Sequence, residues 1–183
     1  MTPRLLFISL IALVFSLSSC KEKSATPTPR RYAYPRLEAY ATDYRLIDAE
    51  LVKFEVNANA TVSSPKSGWV DIEYPRYGAT FYISAVKPDD VAEAIANRQQ
   101  RMSLNLGGAK ATSRSFASGK FDCMILESID AGTTPVQFLA VGDDGVIVSG
   151  TATIVGSTAP ADSIRPIVTA LADEAFKILT TLQ

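Results

Sequence analysis

Two cysteines, Cys20 and Cys123, are the natural nucleophiles to test first in a chain of 183 residues that contains no histidine. Without an imidazole, the Ser-His and Cys-His activation pairs are ruled out, and so is the commonest ligand of zinc and haem. Cys123 alternates with Phe121 and Ile125, which turns it to the inner face of a strand as an inert core thiol. Asp89-Asp90 and Asp143-Asp144 are adjacent pairs whose side chains point apart, whereas acid/base work needs carboxylates that converge. They read as helix-start and turn residues. Gly142-Asp143-Asp144-Gly145 is too short for a calcium loop, whose ligands spread over about twelve residues. Gly107-Gly108 closes a helix instead of opening one, so it offers no phosphate cradle, and Ser113 and Ser115 lack a base or a nucleophile elbow. The expectation is a protein without catalytic residues, metal or cofactor; a carboxylate-only glycosidase would need two acids about 5 to 10 Å apart in a cleft.

Cys20 belongs to different chemistry. Behind Arg4 runs an apolar stretch from Leu5 to Leu17, the length of a secretory h-region and short of the roughly 20 residues that span a bilayer. Leu17-Ser18-Ser19-Cys20 then places two small residues before a cysteine, which resembles a bacterial lipobox, where the thiol receives diacylglycerol before cleavage. Residues 1–19 are therefore expected to be a lipoprotein signal peptide and Cys20 the lipidated first residue, carrying acyl chains such as palmitate. Removing residues 1–19 takes away Arg4 as the only charged side chain, so 17 basic groups remain against 19 acidic ones. Cys123 is left without a disulfide partner. Acyl chains alone can hold such a protein on a membrane. Lys21 stands where an aspartate would suggest inner-membrane retention, and Lys21-Glu22-Lys23 matches surface-export tags only in part. The expected location is the periplasmic face of the outer membrane.

Overall composition narrows the class further. Hydrophobic residues make up 47% of the chain and 18 basic side chains face 19 acidic ones, so neither a disordered polyelectrolyte nor a nucleic-acid surface is expected. Residues 20–36 hold alternating prolines and small polar residues and read as an extended tether. Arg30, Arg31 and Arg36, interleaved with Tyr32, Tyr34 and Tyr40, suit a basic tether near anionic headgroups or arginines packed on tyrosines.

Residues 37–183 are expected to form one α+β domain, an antiparallel sheet of about seven strands packed with two main helices. Period-two alternation marks strands at 51–57, 69–74, 79–86, 109–116, 121–129, 136–141 and 146–154. Asp144-Gly145 makes the last hairpin the strongest local signal. Pro88 with Asp89 and Asp90 opens a helix carrying Val91, Ala94, Ile95, Met102 and Leu106, stopped by Gly107-Gly108. Asp162 or Ser163 caps a final helix with Ile164, Ile167, Val168, Leu171, Ala175, Ile178, Leu179 and Leu182 on its apolar face and Asp173, Glu174 and Lys177 facing out. Trp69, Tyr74, Tyr77 and Tyr82 form the densest aromatic group, on and around one hairpin; core packing accounts for most of it, while its outward-facing members with Arg76, and the exposed Arg98 and Arg101 side of the first helix, are the candidate partner surface. The alternative is a pocket between sheet and helix for a lipid or other small hydrophobic ligand.

Several of these pieces occur together elsewhere. Pro27, Pro29, Arg30 and Tyr32 follow the lipobox; Trp69, Ile72, Tyr74, Pro75, Arg76, Tyr77, Ala79 and Thr80 form one hairpin; Gln137-Phe138 lies in a later strand; Asp162, Ser163, Ile164 and Pro166 open the last helix. In this order the chain resembles the gliding motility lipoprotein GldD family of the Bacteroidetes over essentially its whole mature length. Arg31 departs from the glycine that the family places after its Pro-x-Pro-basic stretch. The resemblance implies a non-enzymatic, membrane-anchored accessory of gliding motility and type IX secretion whose partners are envelope proteins.

Overall fold

The structure, a computed structural model, describes Tyr40, residues 42–155 and residues 161–183, the last segment by backbone alone at Ala161 and Asp162. The expected signal peptide, Cys20 and the tether lie outside the described residues. Among the described residues, nine strands and two α-helices follow in the order β1 (Tyr44–Asp48), β2 (Lys53–Asn57), β3 (Thr61–Ser63), β4 (Trp69–Tyr74), β5 (Ala79–Val86), α1 (Val91–Leu106), β6 (Thr112–Ser118), β7 (Phe121–Glu127), β8 (Val136–Gly142), β9 (Ile147–Ile154) and α2 (Ala161–Thr180). No helix among the described residues is long and apolar enough to cross a membrane.

Seven strands form one antiparallel sheet in the order β3-β4-β5-β9-β8-β7-β6, and β1 pairs with β2 in a separate ribbon. The α+β class and the seven-stranded sheet agree with the sequence reading, but the membership differs. The strand expected at 51–57 is β2 and lies outside the main sheet, whose edge is the three-residue β3, too short to show an alternation. The outer edge of β2 is covered by the end of the chain. Lys53 and Gln183 exchange backbone hydrogen bonds, and the Glu55 amide donates to Thr181 Oγ1. That placement lets Val52, Phe54 and Val56 point inward.

Chain order dictates what α1 must cover. The strands it joins, β5 and β6, stand four inter-strand steps apart, about 19 Å at the usual spacing, and a 16-residue helix is about 24 Å long. It therefore crosses the β9-to-β6 half of one face, packing on Leu139, Ile147, Met124 and Val141 and reaching Val86 at the end of β5, while Trp69 of β4 and Tyr82 of β5 stay exposed. Asp90 caps it by accepting a hydrogen bond from the Glu93 amide, so Pro88 and Asp89 precede the helix, and Gly107 ends it with a positive φ of 57°. The opposite face packs on α2 through Val168, Leu171, Ala175, Ile178 and Leu179, all buried. This helix already begins at Ala161, which puts Asp162 and Ser163 in its first turn instead of ahead of it.

One residue of α2 departs from the expected pattern. Glu174 is buried, not outward-facing. Tyr74 donates to its Oε2 at 3.0 Å and Tyr44 to its Oε1 at 3.4 Å. Burial raises its pKa above the ordinary carboxylate value despite the opposing pull of Tyr74, Tyr44 and Asn57. The carboxylate thus ties α2 to both sheets.

Candidate functional site

Alternation decides which aromatic residues of the β4–β5 hairpin reach solvent. Val70, Ile72 and Tyr74 share the face toward α2, while Trp69, Asp71 and Glu73 share the other. Tyr74 is wholly buried and Tyr77 nearly so; their rings pack with Tyr40 at centroid separations of 5.4 and 4.8 Å. Both are core residues, which corrects their assignment to a partner surface. Arg76 is exposed at the 3-10 turn Pro75–Tyr77, its guanidinium 5.4 Å from the Tyr40 ring, and lies at the opposite end of β4 from Trp69. The expected surface therefore divides in two.

Trp69, Arg98 and Arg101 do come together, in a cleft between α1 and strands β4, β5, β9 and β8. Strand register builds its floor in two rows. Leu139, Ser149, Ser84 and Trp69 lie side by side across β8, β9, β5 and β4, and Gln137, Thr151, Tyr82 and Asp71 form the next row. Gly68 seats the tryptophan. It has φ +70°, and a Cβ there would meet the Ala85 carbonyl oxygen at 2.5 Å, where the Gly68 carbonyl accepts from the Ala85 amide at 2.7 Å. Lys66 Nζ lies 4.3 Å from the centroid of the half-exposed Trp69 ring, and Tyr82 is also exposed.

Three polar groups of the floor, Ser84, Ser149 and Gln137, find partners within the fold. Ser84 and Ser149 hydroxyls are 3.1 Å apart. Gln137 is fully buried, accepts from Asn105 Nδ2 at 3.0 Å and donates to the Met102 carbonyl at 3.2 Å, fixing α1 to β8. Sequence reasoning missed Gln137 as the helix clamp, although a polar residue among Val136, Phe138 and Leu139 is a signal for a buried partner. Arg101 is exposed, but Arg98, expected on the exposed side of the helix, is half-buried. Burial first and the Arg101 charge second hold the Arg98 guanidinium below its ordinary value. The cleft encloses about 180 Å³.

A second hollow of about 460 Å³ lies along the other side of α1, among Ile95, Gln99, Met124, Leu139 and Val141.

The remaining candidates occupy structural positions. Cys123 is buried with its thiol pushed up to about 11 by burial and then by Asp122, the opposite of what a thiolate nucleophile requires. Asp144 accepts from the Val146 amide and pairs with Lys120 at 2.6 Å, closing the β8–β9 turn. Asp90 is a cap. Among the described residues no three acids or cysteines cluster as metal ligands. Cys20, the lipidation candidate, is outside the described residues.

Among curated proteins no significant match is found. A model of the family described as gliding motility lipoprotein GldD matches residues 24–183, nearly all of the chain that would remain after signal cleavage. Matched over that length, the chain belongs to the gliding motility lipoprotein GldD family.

Proposed function

We propose that this lipoprotein is anchored through Cys20 at the periplasmic face of the outer membrane and serves gliding motility and type IX secretion without catalysis, by binding other envelope proteins. The observation that carries this reading is the cleft where Trp69, Arg98 and Arg101 converge, between α1 and the exposed rings of β4 and β5. Exposed tryptophan, tyrosine and arginine beside a polar floor are the residue types enriched at protein interfaces. The α2 side, by contrast, is filled by the protein's own core.

Two measurements test it. Cys20→Ala releases the protein to the soluble periplasmic fraction; continued sedimentation with membranes contradicts the anchor. Crosslinking in cells followed by purification of the tethered protein recovers secretion or motility components, and recovery of none contradicts the partner role. The apolar hollow beside Ile95 and Met124 supports a second reading, a site for a lipid or small hydrophobic ligand, since its volume falls within the usual range for such sites. Saturable binding of a fluorescent fatty acid, weakened by Leu139→Gln, would favour that reading over protein contact.

A further inference from the structure

Arg98 and Arg101 stand three residues apart on α1, neighbours on its surface, and both line the cleft. Arg98 is half-buried with a second guanidinium beside it, a setting that differs from that of the domain's three ion-paired lysines. Lys53, Lys120 and Lys177 pair with Asp48, Asp144 and Glu55 at 3.0, 2.6 and 2.7 Å. Among the described residues neither Arg98 nor Arg101 has a carboxylate at ion-pair distance, and Asp71, on the same face of the sheet, pairs with neither. Half-burying a guanidinium beside a second one is unfavourable without an anion to answer it.

We propose that the cleft binds an acidic segment of a partner polypeptide, in which a glutamate or aspartate side chain forks onto Arg98 and Arg101 while a neighbouring apolar side chain lies on Trp69. The inference rests on the protein-contact reading and names the chemistry of that contact. Guanidinium groups match a carboxylate's two oxygens with paired donors. At about 180 Å³ the cleft is below the roughly 300 Å³ at which small-molecule sites begin, so it suits anchoring side chains better than a whole ligand. Phosphate is the competing anion. Phosphate sites commonly add backbone amides from a nest or a helix start, but the strand amides beneath this cleft are committed to the β5–β9–β8 ladder. Trp69 and Tyr82 instead offer ring surface, which an apolar neighbour of the acid would cover.

The test uses the full-length lipidated protein in detergent micelles, titrated with fluorescent decapeptides that carry one glutamate beside leucine or phenylalanine, and with their glutamine counterparts. Glutamate peptides from the set should bind at least about tenfold tighter than the glutamine versions, the difference vanishing in Arg98→Gln/Arg101→Gln; Trp69→Ala should weaken both kinds about equally. Thermal melts of each variant verify that it is folded. Absence of binding by every peptide, or an unchanged glutamate preference in the double variant, overturns the proposal. So does binding of inorganic phosphate or phosphatidylglycerol vesicles that needs both arginines while no glutamate peptide binds, an outcome that assigns the cleft to phosphate. Envelope proteins captured in cells at wild-type yield by the arginine variant would defeat the carboxylate inference and leave the protein-contact reading standing. If the wild type itself captures none, that reading fails.

Discussion

The two faces of the seven-stranded sheet use the same strands to opposite ends. Toward α2, Ile72, Phe81, Ile83, Ile125, Phe138 and Val148 are buried against Leu171, Ile178 and Leu179, and the ribbon of β1 and β2 adds Phe54 and Val56 to the same core. Toward α1 the buried apolar set among the described residues reduces to Met102, Leu139 and Ile147, flanked by half-buried side chains, and the β4, β5 and β9 part of the face carries Ser84, Ser149, Thr151, Asp71, Glu73 and the exposed rings of Trp69 and Tyr82. Burial of apolar area is the main favourable term in folding. The α2 side therefore holds the fold together, and the α1 side is free to be shaped by something other than stability.

The sharpest way to break that comparison is to truncate one apolar residue on each side. Leu171→Ala should cost about 3 to 5 kcal/mol, because a fully buried leucine in a filled core leaves a cavity. Met102→Ala should cost about 1 to 2 kcal/mol, near or below the low end for buried methionine, because its surroundings open to the cleft. Equal losses in urea unfolding midpoints would contradict the asymmetry.

Gly150 offers a test of packing at the sheet's centre. A Cβ there would run into the Phe138 ring, itself against Phe81 at 6.1 Å between centroids. Gly150→Ala should therefore destabilise by about 1 to 3 kcal/mol through overpacking, read as a lowered thermal midpoint.

Glu174 sharpens the comparison by pH, since among the described residues it is the carboxylate buried in the α2-side core. Its folded pKa is raised from an ordinary 4.5, so the folded state holds its proton more tightly than the unfolded chain does. Its contribution is fully present below pH about 4.5 and is lost as pH rises through the raised value. The stability of wild type relative to Glu174→Gln should fall over that rise and then level off, as measured by urea midpoints from pH 4 to 8. A constant difference would mean that the carboxylate is not shifted.

The smallest effect belongs to the cleft. Arg98→Gln should change stability by less than about 0.5 kcal/mol, because it removes a repulsion with Arg101 and breaks no ion pair. A loss several times larger would make Arg98 a structural residue.

Much of this was legible in particular residues. Alternation through Val70, Ile72 and Tyr74 already turned Tyr74 inward and Trp69 outward, and the burial of the tyrosine contradicts only its grouping with the exposed tryptophan. Glu174 follows Leu171 by three and precedes Ile178 by four, which puts it on the apolar stripe; reading it by charge instead of by position placed it outside. Arg98 lies between Ile95 and Met102 at the same spacings, so its partial burial was equally present in the helical period. Membership of β2 was not legible, because alternation says which face is buried and not which strand lies alongside. The three-residue β3 and the pairing of Lys53 with Gln183 depend on contacts far apart in the chain.

A protein that meets its envelope partners with the α1 side of its sheet must touch them there and not across α2. A photoreactive residue at Tyr82, beside the cleft, and another at Asp173, on the exposed side of α2, would test it in cells carrying the lipidated chain. The account predicts capture of envelope proteins from position 82 and none from position 173. Equal capture from both, or capture from position 173 alone, would contradict it.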